Sequence, residues 1–395
     1  NITANNVFDI NRLGISNDFE AGRSLTFGLD YKFDTLTDNP SEDSKDNLSE
    51  VIKDLVSKSK INPEDIEDII TGCAFPEGEQ GFNIGKVVTF MAGMNVKTAG
   101  MTVNRWCGSS MQTIHNAAGA IAMSAGNVFI CCGIESMTKV PINGLNYSPH
   151  PNLNHSNPNV YLSMGDTAEN VAKKYNLSRE IQQDFAISSH QKASYAEMNN
   201  NFTDEITKIK TKGLIVEKDG AIRPNTSQEI LNSLKLVFDK KGTITAGTAS
   251  PFTDGASATL ICNEEYAKKN NLDILAKVVS TSVQGCAPEL MGLGPIGASK
   301  KALKRANLTI EDIDVVELNE AFASQSLACI KDLNIDPQKV NIDGGAIALG
   351  HPLGATGARI TAKAAQILKR EKKKYALATQ CIGLGQGIAT ILESY

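Results

Sequence analysis

The residue types that can do chemistry in this chain are concentrated in four short stretches. In TVNRWCGSSMQ (102–112) an extended apolar piece runs into Cys107-Gly108-Ser109-Ser110, and a helix follows. A cysteine at the first turn of a helix meets the positive end of the dipole and free backbone N–H groups. Both favour thiolate, the reactive form, and Gly108 leaves room for a substrate, so Cys107 reads as a nucleophile. In NIDGGAIALGHPLGATGAR (341–359), Gly344, Gly345, Gly350 and Gly354 permit a tight backbone from which His351 can point into a cavity. In CIGLGQG (381–387), Cys381 ends an apolar strand, and the glycines either offer N–H groups to an anion or form a plain β-turn. In ELNEAFA (317–323), Asn319 and Glu320 interrupt an apolar strand end. Buried polar groups need partners, so this pair implies a site or a buried network.

The remaining candidates are weaker. His115 sits on the helix after Cys107, while His150, His155 and His190 fall in a polar insertion. Cys73, Cys131, Cys132, Cys262, Cys286 and Cys329 keep mostly apolar company, as in FICCG (129–133). None has zinc-site spacing, so no metal is expected. Such cysteines fit a reducing, cytoplasmic setting. A net charge of −5 argues against nucleic acid. No apolar run approaches the roughly 18 residues of a membrane span, and no secretory signal opens the chain. The sequence begins at Asn1 rather than Met, which reads as a fragment or a trimmed chain. No G-x-G-x-x-G with a following acid suggests a dinucleotide.

The elements that must hold these residues repeat. With 41% apolar and 21% charged residues over 395 positions, a sizeable core and two or three domains are expected. LSEVIKDLVSKSK (48–60) has helical spacing, and EDIEDIITGCA (64–74) then enters a buried strand. The same order returns in SKKALKRA (299–306) and EDIDVVELNEA (311–321). An apolar helix follows each (85–93 and 321–333), then a Gly-rich turn and a further helix, then NVFICCG (127–133) or YALATQCIG (375–383). The period is too long for a solenoid. Two duplicated α/β halves with mostly parallel, helix-covered sheets are expected. Residues 137–249 form an insertion, helical at 167–175 and 178–198, that should lie over the site.

Together the four stretches resemble the thiolase family over about residues 47–395. GGAIALGHPLGATGARI, CIGLGQGIAT, TVNRWCGSSMQ, GLGPIGASKKAL and TAGTASPFTDGASA (245–258) are most similar to degradative 3-ketoacyl-CoA thiolases of bacterial β-oxidation. The resemblance implies an α/β fold with thiolase-like duplicated halves in an αβαβα layering. The halves would be 47–136 plus 250–273 and 274–395, with 137–249 as an inserted CoA-binding loop domain. It also implies roles. Cys107 attacks the 3-keto carbonyl, His351 takes its proton, and Cys381 protonates the departing acetyl-CoA enolate and later activates CoA. One oxyanion hole would be His351 with a water held by Asn319, and the other the N–H groups of Cys107 and Gly383.

Coenzyme A is then a co-substrate, with no permanently bound cofactor. Its matching contacts are Arg223, Ser250 and Met164, while Met291, Ala321 and Phe322 shape the acyl pocket. Arg223 could stack on adenine. Ser163 stands where biosynthetic acetoacetyl-CoA thiolases have a His, which favours broader chain lengths, with the biosynthetic enzyme as the alternative. Ketoacyl synthases lack a partner like Cys381. The family implies a homodimer or homotetramer, and bacterial relatives also bind a hydratase–dehydrogenase subunit. Residues 1–46 do not match the family. RSLTFGLDYKFDTL (23–36) alternates with period two, DNPSEDSKDN (38–47) reads as a polar linker, and residues 4–36 resemble an outer-membrane barrel protein of lipopolysaccharide assembly. A joined reading frame follows, and with it the alternative of a non-catalytic fusion product. Residues 23–36 would then have to fill the place of a first, central strand.

Overall fold

The computed structural model describes residues 44–211 and 214–395, so the segment at 23–36 lies outside the described residues. The first half runs α1 (Ser44–Ser59), β1 (Asp68–Gly72), α2 (Ile84–Met91), β2 (Ala99–Val103), α3 (Ser109–Ala122) and β3 (Val128–Ser136). Residues 44–47 are therefore the first turn of a helix rather than linker. Leu48 and Ile52, one turn apart on α1, are fully buried against the first sheet. Each such side chain contributes about 1.5–3 kcal/mol.

The insertion carries α4 (Pro151–Ser156), α5 (Met164–Tyr175), α6 (Arg179–Met198), β4 (Ile209–Thr211), β5 (Leu214–Val216) and α7 (Gln228–Ser233). Ser163 and Ser178 cap α5 and α6 by accepting from the N–H groups of Asp166 and Ile181. The first half resumes with β6 (Asp254–Cys262) and α8 (Glu264–Lys269). The second half is β7 (Ala276–Gly285), α9 (Gly294–Ala306), β8 (Val315–Leu318), α10 (Ala323–Leu333), α11 (Ala346–Leu349), α12 (Leu353–Glu371), β9 (Tyr375–Ile382) and β10 (Gln386–Ser394).

The repeat is exact in spacing: β3 begins 60 residues after β1, and β9 begins 60 residues after β8. The sheets run β2-β1-β3-β6 and β7-β10-β9-β8. They are more mixed than the alternation of strands and helices suggests. β6 is antiparallel to β3, and β10 is antiparallel to both β9 and β7. Each half closes with an antiparallel strand, which needs no helix crossover: β10 turns straight back from β9, and β6 returns beside β3 after the insertion. A second correction concerns the first strand. β1 and β3 are bonded directly at the centre of the first sheet. The position matching β7 is an outer edge, beside the last strand, not the middle.

Helices α1 and α2 cover the outer face of the first sheet, and α9 and α10 cover that of the second. Between the sheets lie α3 and α12, which completes the αβαβα layering. These two touch closely, since a Cβ on Gly357 would lie 2.3 Å from the Met111 nitrogen. The insertion packs on the second half, α5 and α6 against α10.

Candidate active site

Asn104–Gly108 joins β2 to α3 as a knot of local bonds. The Asn104 side chain accepts from Trp106 N at 2.9 Å and donates to Ala74 O at 3.0 Å. Ser109 Oγ accepts from Arg105 N and donates to Trp106 O. Trp106 sits at a φ of +48°, in the left-handed region. A bulky residue there stores roughly 1–3 kcal/mol of strain, a feature that clusters at functional sites. Cys107 is buried just ahead of the helix cap, Gly108. The helix-end donors expected at its sulfur are engaged elsewhere. Gly108 N donates to Arg105 O and Ser109 N to Trp106 O, each at 3.0 Å. Burial pushes the thiol up to about 12, opposed by N–H donation from Gly383 and from Cys107 itself. Burial thus works against the thiolate that the helix-end position favours.

The loop before α12 carries the imidazole. Gly350 takes a φ of +88°, and a Cβ there would press on Thr253. His351 N donates to Thr253 Oγ1 at 3.0 Å. The ring Nδ1 lies 2.7 Å from Thr356 Oγ1, and that hydroxyl donates to Pro352 O at 3.0 Å. Thr356 therefore accepts from Nδ1–H, which leaves the lone pair on Nε2. Burial, aided by the Arg359 guanidinium, pushes His351 down to about 3. Arg359 also donates to Gly350 O at 2.9 Å, which pins the loop. Asn319, at the end of β8, has Nδ2 3.3 Å from His351 Nε2, while its buried Oδ1 has no partner among the described residues. Among the described residues the ring's partners are thus Thr356 and Asn319, and Cys107 is not bonded to it.

Cys381 lies near the end of β9 and is fully buried. Burial raises its thiol strongly, and a charge on Cys107 raises it further. The two halves are zipped together here. Arg105 Nη1 donates to Gln386 Oε1 at 3.0 Å, and Gln380 Nε2 donates to Cys107 O. Trp106 bears on Gly383, and Gly108 faces Ile382.

Three contributors escaped the sequence reading. Glu135 is buried and accepts from Ala74 N and Gly354 N at 2.8 Å, Phe75 N at 3.2 Å and Gln80 Nε2 at 3.1 Å. It ties a loop of the first half to the first turn of α12, beside His351. Burial pushes its carboxyl up against those four donors. Gln380 and Thr356 are the others. Glu135 and Gln380 each stand in an apolar strand, the signal that singled out Asn319 and Glu320. Glu320 itself belongs to a structural network: it accepts from Ser189 Oγ, Asn341 Nδ2 and Ile347 N.

Met164, Met291, Ala321, Phe322 and Cys381 form one apolar cluster. Ser250 joins it through bonds from its N and Oγ to Ala321 O at 3.0 and 3.2 Å. Arg223 stands apart on an exposed turn, where its N donates to His190 Nδ1 at 3.2 Å. Among the described residues no cluster of three or more metal-ligating side chains exists, and no helix is long and apolar enough to cross a membrane.

Residues 38–265 match the thiolase N-terminal domain and residues 272–394 the thiolase C-terminal domain. The 3-ketoacyl-CoA thiolase of Vibrio vulnificus is 44% identical over 363 residues, covering 89% of this chain and 93% of the relative. That of Shewanella loihica is 46% identical over 349 residues, covering 86% and 90%. The crystal structure of human mitochondrial 3-ketoacyl-CoA thiolase in complex with CoA superimposes with a TM-score of 0.83 at 39% identity, covering 90% and 93%. With both domains matched and relatives this similar over nearly their whole length, the chain belongs to the thiolase family.

Proposed function

We propose that this chain cleaves 3-ketoacyl-CoA with coenzyme A, giving acetyl-CoA and an acyl-CoA two carbons shorter, as in fatty-acid β-oxidation. The observation that carries the reading is two buried thiols, Cys107 and Cys381, tied by the bond from Gln380 Nε2 to Cys107 O, together with a His351 imidazole whose lone pair lies on Nε2. Cys107 attacks the keto carbonyl as His351 Nε2 takes its proton. The carbon–carbon bond breaks, and Cys381 gives a proton to the acetyl-CoA enolate. Cys381 then takes the proton of an incoming CoA thiol, which attacks the acyl group on Cys107. The N–H groups of Cys107 and Gly383 stabilise the tetrahedral oxyanion, a role in which one donor is worth about 10²–10³ in rate. His351 and a water held by Asn319 stabilise the enolate; the unpartnered Oδ1 of Asn319 supports this.

Coenzyme A would run from Arg223, stacked on adenine, past Ser250 and Met164, with Met291, Ala321 and Phe322 around the acyl end. We keep 47–136 plus 250–273, 137–249 and 274–395 as the domain division. A homodimer or dimer of dimers is supported by β2, an edge strand among the described residues, where Met101 is exposed and nearby Phe82 is 96% exposed. An unpaired strand edge with apolar neighbours invites a partner. A hydratase–dehydrogenase subunit is a further proposed partner, and the eight free cysteines suit a reducing cytoplasm.

The test is CoA-dependent loss of 3-ketoacyl-CoA absorbance across chain lengths, in wild type and Cys381→Ala. Absence of CoA dependence would sink the reading. Activity confined to acetoacetyl-CoA would transfer it to the biosynthetic reaction.

A further inference from the structure

The chain has one tryptophan, and it is the residue before the nucleophile. Its indole is held on two sides. The Phe75 ring meets it edge-on, with centroids 5.0 Å apart and planes at 69°. On the other side lies Gly383 of the second half. A Cβ built on Gly383 would fall 2.7 Å from Trp106 Cε3 and 3.2 Å from Cδ2 and Cζ3. All three nearest atoms belong to the indole. Gly383 is not among the glycines with positive φ, so its backbone alone would accept a side chain. Only Trp106 excludes one.

Gly383 also donates its N–H towards the Cys107 sulfur. The indole is thus wedged against the residue whose N–H must be aimed at the reacting centre. Its left-handed backbone and the bonds from Asn104 and Ser109 stop the wedge from backing away.

We propose that Trp106 is a positioning residue: its indole, braced by Phe75, sets the distance between the Gly383 N–H and Cys107, and so aligns the two halves of the oxyanion hole. The proposal rests on the thiolase reading of the site and adds to it the reason that position 383 must be glycine. Trp106 itself need touch neither substrate nor CoA. Its replacement should change turnover more than affinity.

The test is a double-mutant cycle on the full chain with Trp106→Leu, Gly383→Ala and the pair, measured in two ways. In 3-ketoacyl-CoA cleavage, Gly383→Ala should lower kcat about 10²-fold, the typical worth of one oxyanion donor. Trp106→Leu should lower it about tenfold, with KM for CoA within about twofold. In the double variant the leucine yields to the new methyl, so kcat should exceed that of Gly383→Ala alone. The second readout is the rate at which iodoacetamide alkylates Cys107, with quenching of the lone tryptophan followed where Trp106 is retained. Alkylation needs no turnover, so it separates the two readings. A wild type without CoA-dependent cleavage defeats the thiolase reading, while the alkylation cycle still judges the wedge. Trp106→Phe keeps a flat ring against Phe75 and should recover most of the kcat lost in Trp106→Leu. Independent effects in the double variant would overturn the proposal, as would a Trp106→Leu enzyme with lowered Tm but unchanged kcat.

Discussion

The two halves of this molecule share one plan and differ in what they do with it. In each, a tight loop leads into a helix buried between the sheets, α3 in the first half and α12 in the second. The first loop holds a thiol and the second an imidazole. At the end of the strand after the helix they differ again. β3 ends in Glu135, which fastens loops together, while β9 ends in Cys381. The two halves thus offer two comparable places for a reactive group, one taken by a thiol and the other by an imidazole. In the proposed mechanism the first half gives the nucleophile and the second gives the groups that move protons.

The sharpest test of that division is to remove one group at a time. Cys107→Ala should abolish cleavage, by a factor on the order of 10³–10⁶, and end alkylation at the site. Residual activity would break the division at once. Cys381→Ala and His351→Asn should each cost about 10²–10⁴ in kcat. In Cys381→Ala the Cys107 thiol should still be alkylated, because the nucleophile belongs to the other half.

His351 also links the site to acid stability. Its folded value of about 3 lies below the ordinary 6.5, so its contribution is whole above 6.5 and is lost as pH falls towards 3. His351→Asn should flatten the dependence of Tm on pH over that window. Glu135→Gln should act on the join itself. A carboxylate with four donors replaced by an amide should lose about 1.5–3 kcal/mol in urea unfolding, with a smaller fall in kcat. The smallest effect is at Glu317. Burial pushes its carboxyl up to about 8, and its Oε1 has no partner among the described residues. The stability it gives is complete below 4.5 and is lost as pH rises through 8. Glu317→Gln should leave activity unchanged and raise Tm more at pH 8.5 than at pH 5.

Much of this was legible in the sequence, for reasons that vary by residue. The repeat could be read because apolar periodicity and a constant spacing survive divergence. His351 and Cys381 stood out because glycines crowd around them, and glycine at such density signals a backbone made to approach something; Cys107 stood out because it opens a helix beside Gly108. Glu135 and Thr356 were not legible as site residues, since their partners come from loops distant in sequence or from a hydroxyl that only folding brings to the ring. Asn319 and Glu320 were visible as a polar pair, but the sequence does not say which side of a strand end faces the cavity. The lift that burial gives the Cys107 thiol was not legible, because it comes from packing that only the folded chain assembles. The place of the first strand was misread because strand order in a sheet is not encoded by order in the chain.

Strand order has one more consequence, and it concerns timing. Among the described residues β7 pairs only with β10, which is made after β8 and β9 and then lies between β7 and β9. During synthesis β7 must wait for residues 386–394 before its backbone groups find partners. Such distant pairing is slow to form. The first half, with β1, β2 and β3 close together in sequence, can assemble long before. A growing chain would therefore hold Cys107 in place while Gly383, Cys381 and His351 are still missing.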